Sequence, residues 1–153
     1  MENAERKRAR KALDALLREA PDRIRRVLEE GDLTATLEQL RETADPDPAW
    51  VRDKARNIRF KCGCARAELG GIADELRTAL AEWTQTGGED AFRVSQTELV
   101  LKQIEAKAEE LTAARQRMRT LILQADSAAE GAERADLLAA LARMRSYGRE
   151  ETE

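Results

Sequence analysis

The sequence has no histidine, only 3% aromatic residues, two cysteines and three prolines in 153 residues. Each shortage removes something. Without an imidazole, the Ser–His–Asp and Cys–His nucleophilic arrangements cannot be assembled within the chain. The Glu-x-x-His motif of a di-metal helical bundle is excluded for the same reason. A zinc site would need ligands from a second chain or unusual help from carboxylates. Cys62 and Cys64 stand two apart, and on a helix such neighbours point about 200° away from each other, so no unstrained disulfide joins them. They read as ordinary thiols, one packed and one more exposed. Gly70-Gly71 and Gly87-Gly88 lack the spacing and the Lys-Ser/Thr of a phosphate-binding loop. No apolar run is long enough to cross a bilayer, and Met1-Glu2-Asn3-Ala4-Glu5-Arg6-Lys7 has no apolar core of a signal peptide. The expectation is a cytoplasmic, non-enzymatic protein with no catalytic residues, cofactor or metal of its own.

What is present is mostly Ala, Leu, Arg and Glu, with 37% of residues charged and a formal net charge of −3. These are helix formers, and strand-favouring residues are sparse, so the class is all-α. A mildly acidic balance argues against a chain built mainly to coat nucleic acid or anionic membrane. The high Arg and Ala content hints at a GC-rich bacterial or phage gene.

Three short helices are predicted first. Ala9, Leu13, Leu16 and Ala20 form one apolar face; Pro21 interrupts the run and opens a second helix with Ile24, Val27 and Leu28; Gly31 stops that one. A third is expected over Leu33 to Thr43. Asp45-Pro46-Asp47-Pro48 is a boundary, with Asp47 at an N-cap and Pro48 at the first helical position. Beyond it, Val51, Ala55, Ile58, Cys62, Ala65, Leu69, Ile72, Leu76, Ala79 and Trp83 alternate in steps of four and three, the pattern of a coiled-coil seam. The phase continues across Gly70 and Gly71, which predicts one helix. Thr84 to Arg93 reads as a loop, and Ser95 with Glu98 as a capping box. The returning seam is Leu101, Ile104, Ala108, Leu111, Arg115, Met118, Ile122 and Ala125. Ser127, Glu130 and Gly131 predict a bend into a last helix, Ala132 to Tyr147, packed on the hairpin and ended by Gly148. The expected architecture is therefore a long antiparallel helical hairpin, coiled-coil-like, with an N-terminal set of three short helices and a C-terminal helix packed against it. Its divisions are 1–46 (a small helical cap), 47–148 (hairpin and last helix) and 149–153 (an acidic tail).

Antiparallel folding about the loop brings Arg56, Arg59, Lys61 and Arg66 level with Arg115, Arg117 and Arg119. A mildly acidic chain thus carries a basic belt midway along its hairpin. That belt either contacts a phosphate backbone or an acidic partner, or is neutralised by neighbouring Glu and Asp. Arg115, on a seam position, either snorkels outward or meets a carboxylate. The segment Arg23 to Leu40 resembles a helix-turn-helix in outline, but its outward residues include Glu38 and have acidic flanks, so a helical cap is the preferred reading. The expected function is a helical interaction protein, a structural or adaptor subunit that associates with a protein partner or with itself through the hairpin. The alternative is a nucleic-acid-associated subunit that uses the belt. In that form it resembles, in architecture only, phage small terminase subunits or a small helical subunit of a nucleic-acid effector complex.

Overall fold

Asn3 starts the first helix by accepting the backbone N–H of Arg6 on Oδ1 at 2.7 Å, which satisfies one of the donors a helix start leaves open. In the computed structural model, which describes residues 3–30, 38, 47–88 and 91–151 and only some of the side chains beyond 131, three helices follow in order. They are α1 (Ala4–Glu30), α2 (Pro48–Gln85) and α3 (Ala91–Glu151). Among the described residues there is no strand.

Pro21 does not divide the first helix. α1 runs through it as one element, against the expectation of separate short helices. A proline inside a helix forfeits a hydrogen bond and costs about 3 kcal/mol. Here the apolar face keeps its phase across the proline: Ala9, Leu13, Ala20, Ile24 and Val27 are all buried, and Pro21 itself lies on the exposed side. Packing along one unbroken face offsets the lost bond. Apart from Glu38, which is helical and exposed, the third short helix expected over Leu33 to Thr43, and the helix-turn-helix comparison that depends on it, lie outside the described residues.

α2 begins as its sequence predicts. Asp47 occupies the N-cap, without a side-chain capping bond, and Pro48 opens the first turn. The helix passes Gly70 and Gly71 without a break; both are exposed, and a Cβ on either would meet nothing within 4 Å. It ends in a pair of backbone bonds, Gly88 N–H to Trp83 O at 3.1 Å and Gly87 N–H to Thr84 O at 3.0 Å. With Gly87 at φ +83°, these make a Schellman closure.

α3 starts at Ala91, so Ser95 lies inside the helix rather than capping it. Its first turn is fixed by Arg93, which bonds Asp14 of α1 through two nitrogens at 2.8 and 3.0 Å and lies 5.5 Å from the Trp83 ring. The expected bend at Ser127–Gly131 is also absent: α3 continues to Glu151, past the predicted stop at Gly148. The reason is the length of its neighbour. Arg52, near the start of α2, already pairs with Asp126, so residues beyond about 131 have passed the end of α2. Leu138 and Leu141 remain 60% and 43% exposed, and a Cβ on Gly131 would meet nothing within 4 Å. The last stretch overhangs instead of folding back.

Two different cores result. Near the loop, α1 lies on the hairpin: Ala20, Ile24 and Val27 meet Ala65, Leu69, Ile72, Ala73 and Leu76 of α2, with Val100 and Ile104 of α3. Ala9 and Leu13 continue this against Ala79 and Trp83. Farther from the loop, α2 and α3 pack as a pair, with Ala55, Ile58 and Cys62 against Met118.

The Asp14–Arg93 contact carries a pH dependence. The hydrogen bond from Arg93 holds the Asp14 carboxyl below its usual value of 3.8, outweighing the opposing push of burial, with the charges of Arg93, Arg10 and Arg18 adding to the depression. A lowered folded pKa means that the ionised form stabilises the fold above the ordinary carboxylate range, and that this contribution fades as pH falls below about 4. Asp14→Asn should therefore lower the melting temperature at neutral pH and flatten the acid limb of the stability profile. Thermal melts between neutral pH and about 3 measure both, and an acid limb identical to the parent's would contradict the assignment.

Candidate functional site

The site is built on the two-helix half of the molecule, where α2 and α3 share a narrow seam of small residues. Ala55 and Cys62 are fully buried there, and Met118 fills the space opposite. Burial pushes the Cys62 thiol up, partly countered by the charge of Arg115. Cys64, two residues on, is exposed, and both thiols are free.

Arg115 occupies a seam position without entering the core. Its guanidinium passes over Gly63 of α2, and a Cβ on that glycine would stand 3.8 Å from Arg115 Cζ and Nε. Nε is buried and has no hydrogen-bond partner among the described residues. The side chain is half-buried overall, so its charge emerges on one flank of the hairpin. There it joins Arg56 and Arg59 around an open groove of about 560 Å³, floored by Gly63, Cys64 and Ala67 and edged by Phe60 and Ile122. Arg66 follows Arg59 by seven residues and Arg119 follows Arg115 by four, so the helix repeat carries both onto this flank. Arg56, Arg66 and Arg119 are exposed.

The structure does not bring all seven sequence-chosen cations together. Lys61 borders an adjoining groove with Glu30 and Glu68, on the side where α1 ends near Val27; Phe60 and Cys64 line both grooves. Arg117 stands two residues from both Arg115 and Arg119, about 200° around the helix from each. The belt is thus a row of five arginines on the flank away from α1, with Lys61 and Arg117 on the other side.

Ion pairs form on some basic residues of the chain and not on others; among the described residues Lys7, Lys11, Arg26 and Lys102 have none. Elsewhere the chain joins Arg23 to Glu75, Arg25 to Asp22, Arg52 to Asp53 and Asp126, Arg77 to Asp74, Arg93 to Asp14 and Lys107 to Glu110. Among the described residues, none of Arg56, Arg59, Lys61, Arg66, Arg115, Arg117 and Arg119 makes an ion pair or a side-chain hydrogen bond. Phe60 is 71% exposed at the edge of the same groove. Its position one residue after Arg59, off the four-and-three seam, was the signal for that exposure.

Among the described residues no three Cys, Asp or Glu side chains gather as a metal site requires, and no helix is long and apolar enough to cross a membrane. No protein-family model, curated protein or solved structure matches the chain.

Proposed function

We propose that this protein is a non-enzymatic helical interaction protein, an adaptor or structural subunit that docks an anionic partner along the outer flank of α2 and α3. The observation that carries the reading is the arginine row Arg56, Arg59, Arg66, Arg115 and Arg119, which has no counter-ion among the described residues. Six other basic residues of this chain sit beside a carboxylate and several others do not; what distinguishes these five is that they lie together on one flank. Like charges gathered on one flank repel one another, and an external polyanion relieves that repulsion while gaining attraction to each guanidinium. The flank is also the side of the hairpin that α1 leaves uncovered, so a long partner meets no obstruction from α1. The absence of histidine and of a phosphate-binding loop fits a docking role rather than a catalytic one.

Titration with heparin at increasing salt tests the reading. Binding should be measurable at low ionic strength and should weaken steadily as salt rises, because each neutralised anionic group releases counterions. Arg56→Glu/Arg119→Glu changes two exposed residues and should abolish it while leaving the helical circular-dichroism spectrum intact. Absence of binding at low salt, or binding indifferent to the double reversal, rejects the proposal.

A further inference from the structure

We infer that the polyanion taken by this flank is a single-stranded nucleic acid, with its phosphates along the arginine row and a base stacked on Phe60. The inference rests on the polyanion-docking reading above and adds the identity of the partner.

Three observations narrow the chemistry. The row is composed wholly of arginine, whose planar fork of donors matches phosphate in two-point contacts better than the point charge of lysine. Its length is that of a short run of nucleotides. Arg56 to Arg66 spans about 15 Å of helix, room for a few successive phosphates of a strand whose bases are unstacked. Arg115 and Arg119 repeat the cations on the neighbouring helix, about 8–10 Å away, giving the strand two banks between which to lie.

The third observation is Phe60. A phenyl ring 71% exposed, with Arg56, Arg59 and Arg115 in the groove on one side and Lys61, Glu30 and Glu68 in the groove on the other, is an apolar platform at the edge of the arginine row. A single strand turns out unstacked bases and so offers such a ring a planar partner. A duplex keeps its base faces inside, and would set the ring against sugar and phosphate. An acidic polypeptide satisfies the guanidinium groups but has no planar group at every step to set on the ring. The combination of a backbone-tracking cationic strip with an aromatic at its edge matches single-strand binding best.

Fluorescence polarisation with the full chain separates these partners, using a labelled single-stranded oligonucleotide, the corresponding duplex and labelled polyglutamate over about 50 to 200 mM salt. The single strand should bind most tightly, with a log–log salt slope of about −0.7 for each phosphate neutralised. Phe60→Ala removes an exposed side chain and should weaken single-strand binding roughly ten-fold while leaving duplex and polyglutamate binding unchanged. Arg59→Ala should weaken every polyanion and reduce the single-strand slope by about 0.7. Equal affinity for duplex and single strand together with a silent Phe60→Ala overturns the inference. Binding to polyglutamate without nucleic acid also overturns it, yet leaves the docking function standing; failure of all three probes removes both.

Discussion

Leu69→Ala is expected to lower the folding free energy by about 2–5 kcal/mol, the range for deleting a fully buried leucine side chain. Leu69 is 0% exposed and belongs to the cluster that joins all three helices. Its neighbours along α2 on the same face, Ala65 and Ala73, are too small to fill the space it would vacate. Ile24 and Val27 approach from α1 and Val100 and Ile104 from α3, so collapse into the void would require two helices to move together. Part of the cavity should persist, placing the loss toward the upper end of the range. Leu99→Ala is the control: it removes the same atoms from a side chain 52% exposed and should change stability by no more than about 0.5 kcal/mol. Urea unfolding followed by circular dichroism measures both. A loss below about 1 kcal/mol for Leu69→Ala would mean that α1 does not close over this seam.

The same cluster shows what periodicity can and cannot convey. The seam of α2 was legible because nine of its ten members, from Ala55 to Trp83, are buried, with Val51 half-buried at the open end. A two-helix pattern, however, has one face per helix. Ala73, Thr97 and Val100 are buried off the predicted seam because α1 covers a second face, and the spacing within α2 or α3 alone carries no trace of that. Pro21 and Gly131 misled for the opposite reason: both are local breakers whose effect depends on what the chain packs against. Pro21 stands on the exposed side of a helix held by a continuous apolar face, and Gly131 stands where the partner helix has already ended.

The charged site was half legible. Antiparallel register brings Met118 level with Cys62, and the structure packs the two together, with Arg115 passing over Gly63. Which cations share a flank is a question of rotation about each helix axis. Arg59 and Lys61, or Arg115 and Arg117, are two residues apart and so point to opposite sides. Level position along the hairpin is therefore insufficient to define a binding surface; a partner meets one flank at a time. The lack of counter-ions could not be read from composition, since Glu and Asp outnumber Lys and Arg in the chain.

Gly88→Ala is expected to destabilise the protein by about 1–3 kcal/mol, the usual cost of forcing a methyl group into occupied space. A Cβ at this position would overlap the six-membered part of the Trp83 indole and its fused edge. That ring cannot easily yield. It is 5% exposed, packs with Ala9, Leu13 and Ala79, and carries the Arg93 guanidinium 5.5 Å from its centre. Moving it would loosen the contact between α1 and the loop end, so its emission should shift to the red; a Trp50→Phe background leaves Trp83 as the reporter. Gly87→Ala differs in mechanism. At φ +83° the backbone itself is unfavourable to a side chain, at a cost of about 1 kcal/mol or somewhat more. The Trp83→Leu background separates the two: with the indole gone, Gly88→Ala should become nearly neutral, whereas Gly87→Ala should keep its full penalty. If both glycine substitutions remain equally costly in that background, the indole is not what demands a glycine at position 88, and the tightness of the turn is backbone geometry alone.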